Sequence, residues 1–101
     1  MTIDEAYELI VNLNEEAHSM AWDTWVEADE LCASPNEEDW DKADSVREAA
    51  SLEQACYFRE AFEELDEDTQ QVILNYAASD ESFGDEFSMW YGKEEYENDF
   101  G

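Results

Sequence analysis

Basic residues are nearly absent: four Lys and Arg stand against 30 Asp and Glu in 101 residues, a formal net charge of -26 at pH 7. Phosphate backbones are held by Lys and Arg, so this balance excludes direct binding to nucleic acid, and it excludes anionic membrane surfaces for the same reason. Glycine and proline are scarce, at three and one, and no linker or internal repeat interrupts the chain. No apolar run reaches the length of a membrane span, and Asp4 and Glu5 stand where an export signal would carry basic residues. Neither insertion nor export is expected, and the cytoplasm of a bacterial host is the expected compartment. The two cysteines, Cys32 and Cys56, fit no metal spacing and in an intracellular chain read as small buried hydrophobes rather than a bridge.

What is present argues for a folded chain. Hydrophobic residues make up 44% and aromatics 14%, enough apolar surface to offset chain entropy, so acidity here does not mean disorder. At this length one domain spanning 1–101 is expected. The acids are spread evenly: nine in residues 1–33, ten in 34–65 and eleven in 66–101. A detachable acidic tail is therefore the wrong picture.

Helical periodicity is the dominant pattern, with no convincing strand. Thr2-Ile3-Asp4-Glu5 forms a capping box, and a long first helix is expected to follow it through Cys32. On that helix Ile3, Ala6, Tyr7, Ile10, Leu13, Ala17, Met20, Ala21, Thr24, Trp25, Ala28, Leu31 and Cys32 share one face, and all nine acids take the other. Val11, Trp22 and Val26 break the pattern by projecting onto the acidic side. Either another helix or second subunit covers them, or they form a contact patch for a partner.

Ser34, Pro35 and Glu37 have the pattern of an N-cap, a first-turn proline and a closing box residue for a second helix. Its apolar set rotates by about a third of a turn between Ala50 and Leu52, and Ser51 and Gln54 form a further capping pattern, so a break near Ala50–Ser51 is expected. Asp66 or Asp68 caps a helix carrying Val72, Ile73, Tyr76 and Ala77. A last helix runs from Glu81 to Tyr91 and stops at Gly92, leaving 93–101 as a loosely ordered tail anchored by Tyr96 and Phe100. The expected fold class is all-α, a compact bundle of four to five helices. Its expected core is Trp25, Ile10, Leu13, Val46, Phe58, Phe62, Ile73, Tyr76, Phe87 and Trp90.

Catalytic chemistry finds little support in the sequence. Acid catalysis needs a desolvated carboxyl, which solvated helix faces do not provide. His18 is the single histidine, so no Ser/His/Asp set can form. Glu15-x-x-His18 has the spacing of half a carboxylate-bridged di-metal site, but a second such pair is missing. The clusters Asp66–Asp68 and Asp80–Glu86 lack calcium-loop order, and no glycine-rich phosphate loop occurs. The chain is expected to be a non-enzyme with no cofactor and no resident metal.

The charge itself is the functional clue, because self-repulsion on this scale destabilises a compact state. Duplex DNA carries one negative charge per ~1.7 Å of axis. Carboxylates a helical turn apart, at roughly 5–6 Å, offer a DNA-binding groove a field of the same sign and similar density. The expected contact residues are Asp4, Glu8, Glu15, Asp23, Glu27, Glu30, Glu37, Asp41, Asp44 and Glu48, with Trp22 and Val26 as apolar contacts. The expected partner is a basic nucleic-acid-binding protein, and a homodimer through the Trp22/Val26 patch is a further expectation.

Ser51-Leu52-Glu53-Gln54, Phe62-Glu63-Glu64-Leu65-Asp66-Glu67-Asp68 and Trp90-Tyr91-Gly92-Lys93-Glu94-Glu95-Tyr96 make residues 51–101 resemble the ArdA-type antirestriction proteins. That resemblance implies an acidic DNA mimic that enters the DNA-binding groove of a type I restriction-modification enzyme. Small phage-encoded inhibitors of restriction or CRISPR effectors are similar in size and charge. Two other readings compete with mimicry. One is an acidic binder of a specific basic protein, such as an immunity protein or a chaperone. The other is an ordinary helical protein of a salt-loving organism.

Overall fold

Thr2 starts the first helix through a reciprocal cap: its hydroxyl accepts from the Glu5 backbone N–H at 3.2 Å, while its own N–H donates to the Glu5 carboxylate at 3.3 Å. The Glu5 carboxylate accepts from the Thr2 N–H and also from the Thr2 hydroxyl, at 3.1 Å, and these two bonds favour the ionised acid and hold the Glu5 carboxyl below its ordinary value. The computed structural model describes residues 1–100, which form six α-helices and no strand. They are α1 Ile3–Met20, α2 Trp22–Cys32, α3 Glu37–Glu63, α4 Glu67–Ser79, α5 Glu81–Tyr91 and α6 Lys93–Phe100.

The single first helix expected to run through Cys32 is thus two. Ala21, at φ -92° and ψ 7°, ends α1 and begins α2 without proline or glycine. The cause is tertiary. Both α1 and α2 pack against α3, and two straight helices crossing at a ridge-and-groove angle separate within a few turns. A turn at Ala21 brings the second stretch back onto α3.

The opposite correction applies to α3, which runs unbroken through Ala50 and Ser51. Its apolar stripe rotates because the helix serves two sets of partners. Ala43 and Ala50 are buried in the half that meets α2, and Ala55, Phe58 and Phe62 are buried in the half that meets α1 and α5. Its N-cap is Asn36, whose side chain accepts from the Glu38 N–H at 3.3 Å, so Pro35 lies outside the helix. Ser34 instead donates to Asp39 at 2.7 Å and accepts from the Asn36 N–H at 3.3 Å, closing the loop.

Around α3 the remaining helices enclose an aromatic core. Ile10, Phe58, Ile73 and Phe87 are its largest fully buried side chains, and Phe87 meets Phe58 and Phe62 edge-on at 5.8 and 5.3 Å between centroids. Leu13 and Phe62 are buried as expected, but Trp25, Val46, Tyr76 and Trp90 are only half-buried. For Trp25 and Tyr76 the polar tips explain it: the Tyr76 hydroxyl donates to the Met1 carbonyl at 2.7 Å, and the Trp25 indole reaches Gln54. Both cysteines are exposed free thiols rather than core residues.

Asp80 caps α5 by accepting from the Phe83 N–H at 2.9 Å, and Gly92, at φ 99°, ends it. The expected loose tail is helical through Phe100; Gly101 lies outside the described residues. The Tyr91 hydroxyl docks α6 by donating to Asp99 at 2.7 Å, and Tyr96 meets Tyr91 and Phe87 edge-on at 6.3 and 5.8 Å, as Phe100 meets Tyr91 at 5.4 Å.

The whole measures 49 × 23 × 19 Å with a radius of gyration of 15.6 Å, against roughly 13 Å for a spherical domain of this length. The extension comes from the α2–α3 hairpin. Its buried contacts are Ala21, Ala28, Ala43 and Ala50, none of which belongs to the aromatic cluster. Alanine brings the two backbones close but buries little area, so this hairpin is an arm set beside the core rather than part of it.

Candidate functional site

Helical spacing alone sorts the acids of the arm into stripes. On α3, Glu37, Asp41, Asp44 and Glu48 follow one another at steps of four, three and four, pointing away from the buried Ala43 and Ala50. On α2, Asp23, Glu27 and Glu30 do the same relative to the buried Ala28. Because the alanine faces of the two helices meet each other, the two stripes point away from one another, on opposite flanks of the arm. Asp4, Glu8 and Glu15 form a third stripe on α1, opposite the buried Ala6, Ile10, Leu13 and Ala17.

All ten of these carboxylates belong to exposed residues. Trp22, at 55% exposure, also faces solvent, whereas Val26 is half-buried. The structure therefore places the twelve residues on three helices rather than two, because of the turn at Ala21, and divides them between separate faces. Within the arm, Arg47 is one of two bases, and on the exposed surface its Nη2 donates to Cys32 Sγ of α2 at 2.9 Å.

A polar cluster fixes where the arm leaves the core. Gln54 on α3 accepts through Oε1 from His18 Nδ1 at 3.1 Å and from Trp25 Nε1 at 2.9 Å, and it donates through Nε2 to Asn14 at 2.9 Å. These acceptors set the His18 tautomer with the proton on Nδ1. Thr24 adds a bond to Glu53 at 2.8 Å. One amide thus holds the last turns of α1 and the first turn of α2 against α3. His18, the half-site histidine of the sequence pattern, is engaged with Gln54, meets the Trp22 ring edge-on at 5.6 Å and lies tilted to the Trp25 ring at 6.0 Å. Among the described residues no group of three or more His, Cys, Asp or Glu is arranged to hold a metal ion.

Sequence reasoning missed several exposed apolar residues, among them Tyr7 and Met20, which lie on its apolar face of the first helix but at the edge of the packed surface. Trp40 is 49% exposed at the tip of the arm, its indole donating to the Ser34 carbonyl at 2.7 Å. Leu52, expected among the buried set of α3, is 65% exposed, and Met89 on α5 is 63% exposed. For Leu52 a signal existed: it stands opposite Ala43 and Ala50 on the helical wheel. Among the described residues no helix is long and apolar enough to cross a membrane.

The chain matches no protein-family model, and neither a curated protein nor a solved structure is significantly similar to it.

Proposed function

We propose that this protein is a DNA mimic that occupies the positively charged nucleic-acid-binding site of another protein, with a host-defence nuclease of the restriction-modification or CRISPR type as the foremost target class. One observation carries the reading. A net charge of -26 over a 49 Å long axis is one net charge per about 1.9 Å, against one per ~1.7 Å for duplex DNA. Stripes on opposite flanks of the α2–α3 arm add a second likeness, since a duplex also presents phosphates on two sides. Such a rod would be drawn quickly into a cationic cleft and would exclude DNA by competition.

The exposed Trp22 and Trp40 favour a second reading, an acidic binder of one basic protein that does not copy DNA, because buried tryptophans dominate many protein interfaces. Capture from a bacterial lysate at low salt, followed by elution with duplex DNA, separates the two. Mimicry expects DNA-binding proteins that duplex displaces. Captured proteins that bind no nucleic acid, or that duplex leaves in place, refute it.

A further inference from the structure

Trp40 projects from the tip of the arm and is 49% exposed. Its ring is nonetheless held in place, because the indole Nε1–H donates to the Ser34 carbonyl at 2.7 Å. It does not belong to the aromatic cluster, and the arm around it is packed by alanine, so the core does not account for a tryptophan here. Three positions before it and four after it on α3 stand Glu37 and Asp44, both exposed, which makes them its neighbours along the helix surface. The two bases of the arm are placed elsewhere. Lys42 projects about 200° round the helix from Trp40, and the Arg47 guanidinium is engaged with Cys32.

We infer that the arm tip receives an arginine side chain of a basic protein partner, with the open face of Trp40 as the stacking surface. A guanidinium is flat and weakly hydrated, so it can lie on an indole while its N–H groups, which radiate in its own plane, reach carboxylates on either side. Glu37 and Asp44 flank Trp40 along the helix, so the tip offers both partners at once. A lysine ammonium is a compact, strongly hydrated point charge and gains less from the ring. An apolar side chain would leave the carboxylates unmatched. Shape points the same way: the arm is the slender end of a molecule 49 Å long, so its tip enters a concave partner ahead of the bulkier core. The inference rests on the function proposed above only for the cationic character of the partner, which both of its readings share, and it does not require that DNA be copied.

Titration of the full chain with acetyl-tetra-arginine amide and with its tetra-lysine counterpart, followed by NMR, tests this. The two peptides carry equal charge, so general attraction to the acidic surface is common to both. The wild type is expected to prefer the arginine peptide. Its Trp40 indole N–H resonance should move, and the ring should shift the arginine side-chain methylene protons upfield. Trp40→Leu and Trp40→Phe both lose the bond to Ser34, but only phenylalanine keeps an aromatic face. The preference for arginine is expected to fall about two- to fivefold in Trp40→Leu and to be largely kept in Trp40→Phe. An unchanged preference in Trp40→Leu overturns the inference. So do equal losses in the two variants, which would make Trp40 a clasp for the α2–α3 loop, and so do ring shifts traced to Trp22 instead. Failure here leaves intact a capture that duplex DNA reverses. Captured proteins that bind no nucleic acid would refute mimicry and leave the arginine site standing.

Discussion

The indole N–H of Trp25 donates to Oε1 of Gln54 at 2.9 Å, across 29 positions of sequence. The same oxygen accepts from His18, so the α1–α2 turn is fixed from α3 rather than by its own sequence. Gln54→Ala would leave the Trp25 and His18 donors without their partner, and a part-buried donor left unpaired costs ~1–3 kcal/mol. A fall in melting temperature of ~4–8 °C for each kcal/mol lost is the expected readout by calorimetry. Arm amides in α2 should exchange hydrogen faster while those of α5 do not. A variant as stable as wild type would show that alanine packing alone orients the arm.

Opposed stripes allow the partner's grip to be dissected. Reversing Asp23, Glu27 and Glu30 to Lys, or separately Asp41, Asp44 and Glu48, should each weaken binding to a captured partner by more than ~tenfold at low salt. Each should also flatten the dependence of log affinity on log salt, as expected when paired ions are removed. Titration calorimetry at several salt concentrations is the measurement. An effect from one stripe alone would mean that a single flank is engaged; no effect from either would place recognition off the arm.

Repulsion among carboxylates makes salt a stabiliser. Cooperative melting is expected in dilute buffer, with the midpoint rising as sodium chloride is added, because exposed charges are screened over ~10 Å at 0.1 M. A chain unfolded without salt would instead support the reading in which acidity answers to a salt-rich solvent.

Gly84 opposes two rules. Helix propensity alone makes Gly84→Ala stabilising by ~1 kcal/mol. At this site, however, a Cβ would press into the backbone carbonyl of Ala77, where α5 crosses α4. Backbone cannot swing aside as a side chain can, and overpacking of this kind costs ~1–3 kcal/mol. Net destabilisation is the expected result in urea unfolding, and a gain in stability would show that the crossing is loose.

Alkali should loosen the last two helices first. Burial, and then the hydrogen bond to Asp99, push the Tyr91 hydroxyl well above its ordinary value of 10.0. A raised folded value means that the protonated tyrosine favours the fold. That contribution is complete below about pH 10 and is lost as pH climbs from there toward the folded value. Tyr91→Phe keeps the ring but removes both the bond and the titration, so its stability should fall less steeply above that pH. Parallel slopes for the two proteins would count against the account.

Much of the local structure was legible from short patterns. The Thr2/Glu5 box and the stop at Gly92 each depend on residues within a turn of one another, so their spacing alone specifies them. Where the helices break and where they continue was not legible. Ala21 carries no breaking residue, and Ser51–Gln54 carries a start pattern that goes unused. Both outcomes depend on which neighbour each stretch packs against, information that periodicity within one segment lacks.

Composition and spacing by themselves determined an acidic, all-helical chain with carboxylates in stripes, because charge count and the 3.6-residue period are properties of the chain alone. Only the tertiary structure decided that the stripes lie on opposite flanks of a slender arm. It also decided that Arg59 and Lys93 share a groove with Met89. Those relations join residues on different helices, and the packing of whole faces, not any local preference, sets them.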